Sequence, residues 1–220
     1  MSGAEPDRFS ALLVDVQRRL ESLYALPAEA PVTEFVLGPQ EAASLPGGGS
    51  RTLLRQEGDA VALGVVFEEE VPHRLRSQDP RVSLTHGNLG PLCTLTEEVS
   101  HFLYLLFCAR SSRTVTELEL ELQGEVDKYL TAAFFLSLQN EGAVSTGLRR
   151  LLFREYHLAE GLSEEQAERY RKASRLAFDY CGYLEAEYLR PQRLPDLLRE
   201  SRRFYRLGQR DKLERIARLH

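Results

Sequence analysis

At 220 residues the chain is long enough for one large domain or one and a half small ones, and it needs no disulfide or structural metal to fold. A hydrophobic share of 43% and a charged share of 28% exclude a disordered chain, and no apolar run approaches the ~18–20 residues of a membrane-spanning helix. The net charge of −5 is unevenly divided, because residues 190–220 contain ten Arg and Lys against four Asp and Glu.

The first 90 residues predict a small α+β lobe. Apolar residues recur every three or four positions from Phe9 to Tyr24, which is the pattern of an amphipathic helix. Three strand-like segments follow at 32–37, 52–56 and 60–67, and the last two flank a Gly-containing turn that is typical of a hairpin. We therefore predict a small antiparallel sheet of about three strands, covered on one face by the first helix.

Residues 91–220 predict an all-helical body with basic C-terminal helices. Prolines and glycines interrupt the periodicity at 68–92, so we place a boundary near 87–91 and expect a helix to begin at Thr96. Further helices are predicted at about 114–138, 145–159, 163–190, 195–207 and 211–219. The fold class is therefore α+β and mostly α, with a lobe at 1–90 and a body that is either a second domain or part of one continuous domain.

One polar constellation stands out, the run Glu98-Val-Ser-His101. A spacing of three places Glu98 and His101 on one helix face, as di-metal carboxylate bundles require. The next helix supplies Glu121 and Glu125 on a shared face, and antiparallel packing would bring both towards His101. A dinuclear bundle of this type needs a second ExxH motif, which the sequence lacks. The four residues are therefore candidates for a single divalent metal ion or an acid–base site, as the less favoured of two interpretations.

The interpretation that we favour is a structural histidine. On a helix that is apolar almost all round, His101 should face the interior and contact one of the nearby carboxylates, because a buried imidazole without a partner loses roughly 1–3 kcal/mol. The acidic segment 117–127 would then be the solvated face of a long helix. Its first residues alternate Glu and Leu as in a strand, but the helical stripe and the length of the segment favour a helix.

The basic tail at 190–220 has two interpretations. Its arginines are candidates for binding an acidic partner or nucleic-acid phosphates, with Phe204 and Tyr205 able to stack on bases. These candidates are Arg199, Arg202, Arg203, Arg206 and Arg210. However, a pI of about 5.7 is far from that of a typical nucleic-acid module. Apolar stripes that include Leu197 and Leu213 favour two short helices docked on the acidic body, with arginines paired to acids there.

Other motifs give little support for catalysis. The glycine-rich run at 46–51 lacks the lysine and the following helix of a phosphate-binding loop, and no G-x-S-x-G elbow is present. Cys93, Cys108 and Cys181 form no CxxC pair, so we expect buried thiols in a reduced, cytoplasmic compartment. The catalytic residues, if there are any, are not identified by these patterns.

We therefore predict a non-enzymatic interaction or regulatory protein with a protein partner and no cofactor, such as a small subunit of a bacterial assembly. Bacterial origin is inferred from the arginine bias of a GC-rich genome, since only three of the 28 Lys and Arg residues are lysines. One alternative is a metal-binding protein or metal-dependent enzyme centred on Glu98, His101 and the acidic segment. The other is a nucleic-acid binder that acts through the tail.

Overall fold

The structure, a computed structural model, describes residues 7–28, 30–45, 47–57, 60–145, 147–155 and 163–219. Its helices are α1 (Arg8–Tyr24), α2 (Pro39–Ala43), α3 (Glu70–Ser77), α4 (His86–Arg110), α5 (Glu117–Gln139), α6 (Leu148–Arg154), α7 (Glu164–Leu184), α8 (Leu194–Arg206) and α9 (Gln209–Ala217). The strands β1 (Arg51–Glu57) and β2 (Ala60–Val66) form one antiparallel hairpin. The fold is therefore α+β and mostly α, as predicted.

Within the described residues the sheet has two strands, where the sequence predicted about three. The segment at 32–37 forms instead a 3₁₀ turn at Val32–Glu34 and a single parallel bridge from Val36 to β2. Prolines explain the difference, since Pro31 precedes the turn and Pro39 begins α2. Too few residues remain between the turn and α2 to form a full strand.

The hairpin is covered by α4 rather than by the first helix. α4 contacts both strands, and the Thr52 hydroxyl of β1 donates a hydrogen bond to the Glu98 carboxylate of α4 at 2.7 Å. α1 packs mainly on α3, α4 and α8, and it approaches the end of the hairpin where the Phe9 ring meets Phe67 at 5.2 Å. The prediction that α1 covers the sheet is wrong, because the apolar stripe of α1 is used against the helices.

α4 begins at His86, well before the predicted start at Thr96. A capping box fixes its N-terminus, and Pro91 lies in the second turn without ending the helix. The boundary expected at 87–91 therefore falls within a continuous helix, although the division into 1–90 and 91–220 stays a prediction. By length and composition α4 is the one helix in the described ranges that could cross a membrane, but 67% of its apolar stretch is buried within the protein.

α4 and α5 pack antiparallel at the centre of the molecule, as predicted. Their contacts run in opposite order along the chain, from Glu97 with Lys128 at one end to Tyr104 with Glu119 at the other. α4 belongs to an apolar core shared with α1 and α3, whereas α5 belongs mainly to a second core shared with α6, α7 and the tail. Polar side chains at the α4–α5 contact therefore lie between two apolar cores.

The basic tail docks on the body as α8 and α9, as predicted. The Phe204 ring stacks on Tyr180 at 3.8 Å, and the Tyr205 ring stacks on Tyr24 at 4.0 Å. Gly208 separates the two helices and is the N-cap residue of α9. Because these rings are buried, apolar packing rather than ion pairing accounts for most of the docking.

Candidate metal site between the central helices

The acidic segment of α5 is buried, so the expectation of a solvated helix face is wrong for most of it. Glu119, Glu121, Glu125 and Asp127 are each no more than 7% exposed, whereas Glu117 at the start of the helix is exposed. The reason is that α5 is covered by α4 on one side and by α7 on another. Buried carboxyl groups need partners, so each of these acids requires an account of what it contacts.

His101 of α4 points into the interface with α5, as predicted, and meets the carboxyl group of Glu121. Nε2 of His101 lies 3.8 Å from Oε2 of Glu121, and each residue is 7% exposed. This distance is too long for a hydrogen bond. Within the described part of the chain neither atom has a hydrogen-bond partner. Two buried polar atoms therefore face each other without being bonded.

Glu97 completes a group of three with His101 and Glu121. It stands one turn before His101 on α4, and one ligand atom from each of the three residues lies within 4.8 Å of the others. Gly124 of α5 makes room for the group, because a Cβ at that position would lie 3.0 Å from Nε2 of His101. Tyr170 of α7 lies on a third side, close enough to the carboxyl group of Glu121 to influence its pKa.

Burial and neighbouring charges set the protonation states of these groups. Burial lowers the pKa of His101, so its imidazole is neutral at pH 7 and has a free lone pair. Burial, and then the charge of Glu97, raises the pKa of Glu121 to about 8. Although burial opposes it, the attraction of the Lys128 ammonium group holds the pKa of Glu97 below its ordinary value. Glu121 therefore keeps its proton at pH 7 beside the ionised carboxylate of Glu97.

One imidazole nitrogen and two carboxylates form a donor set that suits a first-row divalent metal such as Zn²⁺, Fe²⁺ or Mn²⁺. Bonds of roughly 2.0–2.2 Å to such an ion place neighbouring donor atoms about 3.0–3.5 Å apart. The 3.8 Å gap between Nε2 of His101 and Oε2 of Glu121 would need to narrow by about 0.3–0.8 Å. The gaps to the ligand atom of Glu97, which are within 4.8 Å, would need to narrow by at most about 1.8 Å. A cation entering the group would displace the proton of Glu121 and pair with both orphaned atoms.

Of the four metal candidates named from the sequence, two lie together in the structure and two have other partners. The structure brings His101 and Glu121 together, but Glu98 faces β1, where it accepts the hydrogen bond of Thr52, and burial raises the pKa of Glu98 to about 8. Glu125 accepts a hydrogen bond from Nζ of Lys128 at 3.0 Å. Three further residues of the group, Glu97, Tyr170 and Lys128, were not among the predicted site residues. A spacing of four from His101 was the signal for Glu97.

The tail arginines predicted as an anion-binding surface have separate local partners. Arg199 and Arg210 pair with acids three or four residues away in the tail itself. Arg202 and Arg206 donate to backbone carbonyls at the C-terminal end of α1, where the helix dipole favours a cation. Arg203 is exposed. The expected pairing with acids of the body is therefore wrong for Arg199, Arg202, Arg206 and Arg210, although Arg190 at the start of the tail does pair with Glu185 of the body. Binding of an external anion by the tail stays a prediction.

A second buried polar group, on another face of α5, is hydrogen-bonded throughout. The carboxylate of Asp127 accepts hydrogen bonds from the side chains of Tyr24, Ser100 and Gln123. Gln123 in turn accepts one at 2.7 Å from Lys212, a fully buried residue of α9 whose pKa burial lowers to about 7. This group links α1, α4, α5 and α9, and we interpret it as structural because its polar atoms are partnered.

The thiols are placed as expected for structural cysteines. Cys108 and Cys181 are buried, Cys93 is half-buried, and all three are free. Burial raises the pKa of Cys93 to about 12, so its thiol is protonated and unreactive at neutral pH.

The chain matches no family of known proteins, and comparison with curated proteins and with solved structures gives no match either. The function is therefore inferred from the site.

Proposed function

We propose that the protein binds one divalent transition-metal ion between α4 and α5, with Glu97, His101 and Glu121 as its protein ligands. The observation that carries this proposal is the pair of buried, unpartnered atoms, Nε2 of His101 and Oε2 of Glu121, that face each other at 3.8 Å. An unpartnered buried polar atom costs about 1–3 kcal/mol. A metal ion bound to both atoms would remove that cost.

The donor set and its setting narrow the type of site. An imidazole ligand favours Zn²⁺, Fe²⁺ or Mn²⁺ over Ca²⁺ and Mg²⁺, which prefer oxygen ligands. Three protein ligands leave at least one coordination position for water, unlike the closed four-ligand sites of structural zinc. The Glu97 side chain is 18% exposed, so the group lies just below the surface and an ion can enter from solvent.

A regulatory role fits this site better than an enzymatic one. His101 and Glu121 are more than nine-tenths buried, and such an enclosed site admits an ion and water more readily than a substrate. The ligands come from the two helices that join the apolar cores, so metal binding would stabilise their contact. We therefore propose a metal-responsive regulatory protein. A protein partner for it stays a prediction.

Metal titration of chelator-treated protein tests the proposal. We expect one Co²⁺ or Zn²⁺ ion per chain, with Co²⁺ giving the d–d absorption of a site that has mixed nitrogen and oxygen ligands. The variants His101→Gln and Glu121→Gln should lose this binding. The matched controls are Glu117→Gln on α5 and His73→Gln on α3, both at exposed positions, and they should bind like the wild type. Equal binding by all four variants would exclude the site.

A further inference from the structure

A surface pocket between α6 and α7 is lined by three arginines. Its volume is about 260 Å³, and among the described residues its walls are Arg149, Arg150 and Arg154 of α6 and Phe178 of α7. α6 contains no acidic residue, although three of its seven residues are arginines. The pocket thus concentrates positive charge on an acidic body, since residues 1–189 contain 18 Lys and Arg against 29 Asp and Glu.

The ring of Phe178 holds two of these arginines in place. The guanidinium carbons of Arg149 and Arg154 lie over the ring, 4.0 and 4.3 Å from its centre. The ring itself is fixed by an edge contact with Phe153 of α6 at 6.4 Å. A guanidinium group that packs on an aromatic ring keeps its N–H donors at its edge. The contact therefore orders both groups and leaves N–H donors for other acceptors.

Arg149 is built into the wall of the pocket. Its Nη1 atom donates a hydrogen bond to the backbone carbonyl of Phe178 at 3.2 Å, and its Nε atom lies 3.5 Å from Oε2 of Glu185. Gly182 of α7 makes room for the group, because a Cβ at that position would lie 2.9 Å from Nη1. Glu185 is also bound by Arg190, so this carboxylate compensates the charge of Arg149 only in part.

Arg150 and Arg154 are exposed at the mouth of the pocket. Neither forms an ion pair within the part of the chain that the structure describes. They stand four residues apart on α6, a spacing at which like charges on a helix repel each other. An anion bound between them would replace this repulsion by two attractive contacts.

A second arginine-rich pocket, beside α8, differs because it also contains acids. Arg193, Arg199 and Arg203 line it together with Asp196 and Glu200. Asp196 pairs with Arg193 and Arg199, and Glu200 pairs with an arginine of α9. These acids reduce the positive charge of the second pocket, so an anion gains less there than at α6.

Phosphoryl groups match the donors of the α6 pocket in shape and charge. Two oxygens of one phosphate accept parallel N–H bonds from one guanidinium, and a dianion balances two positive charges. The pocket volume lies just below the roughly 300–1,000 Å³ that is usual for drug-sized ligands, so the ligand must be small. We propose that this pocket binds a phosphoryl group of a small molecule, with Arg150 and Arg154 as its main donors and Arg149 as the fixed third cation. The site shares no residue with the proposed metal site, so either can fail without the other.

Isothermal titration calorimetry of the full chain with inorganic phosphate, at neutral pH and about 150 mM salt, tests the proposal. We expect one phosphate per chain. Arg150→Gln and Arg154→Gln should each weaken this binding at least about tenfold, because each removes charge-assisted hydrogen bonds. The matched control is Arg171→Gln, which removes the same charge from an exposed position on α7 and should bind phosphate like the wild type.

Succinate is the comparison ligand, since it is a dianion with carboxylates in place of a phosphoryl group. Weaker binding of succinate than of phosphate supports the proposal, and equal or tighter binding of succinate overturns the choice of ligand. A wild type that does not bind phosphate overturns the site. The site is also overturned if Arg171→Gln loses as much affinity as the two pocket variants. Circular dichroism checks that each variant is folded, and if one is not, the other decides.

Discussion

Replacing Glu121 by glutamine should make the metal-free protein more stable at neutral pH while removing a metal ligand. Burial, and then the charge of Glu97, raises the pKa of Glu121 to about 8 from an ordinary value of 4.5. Between pH 5 and 7 the unfolded chain therefore loses this proton while the folded chain keeps it. Since the folded state binds more protons, the free energy of unfolding falls as the pH rises.

The magnitude follows from one proton of difference between the two states. Each increase of one pH unit then lowers the free energy of unfolding by about 1.4 kcal/mol. Glu121 alone should therefore lower it by roughly 2–3 kcal/mol from pH 5 to 7. A glutamine amide has a similar shape and no proton to lose. The variant Glu121→Gln should therefore lose less stability over this interval. Glu98, whose pKa is also raised to about 8, should keep a slope in both proteins.

Denaturant unfolding followed by circular dichroism at pH 5, 6 and 7, with a chelator present, measures this difference. Glu117→Gln is the control, because Glu117 is exposed on the same helix, and its pH dependence should match that of the wild type. Identical slopes for Glu121→Gln and the wild type would refute the reasoning, since they would mean that Glu121 is ionised in the folded protein.

Three further results are expected. Metal affinity should weaken about tenfold from pH 7 to 6, because the metal must displace the proton of Glu121. Competition with a chromophoric chelator measures this affinity, and an affinity that does not change with pH would contradict the expectation. Gly124→Ala should lower the affinity at least tenfold, since its Cβ would lie 3.0 Å from Nε2 of His101, whereas Gly90→Ala in open space on α4 should not. Truncation after Leu189 should give an unfolded chain by circular dichroism, because it removes the buried rings of α8, and cooperative unfolding of the truncated protein would contradict this.

Local signals in the sequence were sufficient for much of the fold. The capping box at Ser163 begins α7, and Gly208 separates the two tail helices, because both features depend on neighbouring residues alone. The start of α4 was missed because Pro91 was interpreted as a break, whereas the helix continues through Pro91 from a capping box at Thr85. α3 was missed because it is short and its stability comes from packing on α4.

The sequence predicted two of the three proposed ligands, His101 and Glu121, but not Glu97, and the reason is physical. Glu97 and Glu98 lie four and three residues before His101, so both spacings place a carboxylate near the imidazole. Whether Glu97 or Glu98 points towards α5 depends on the rotation of α4 about its axis. A helix that is apolar almost all round has no polar face to fix that rotation, so packing decides it. The burial of Glu119 and Asp127 on α5 was missed because acidic residues were assumed to face solvent.

The positions of the lysines also determine how the protein responds to amine-reactive reagents. Lys172 is exposed on α7, whereas Lys128 holds two carboxylates and Lys212 is fully buried. Acylation requires an accessible amine, so among the lysine side chains a native sample should be labelled at Lys172. Labelling at Lys212 needs the tail to detach and labelling at Lys128 needs α4 and α5 to separate, so peptide mapping would report two opening events separately. Coupling through Lys172 would also attach the folded chain to a solid support in one orientation.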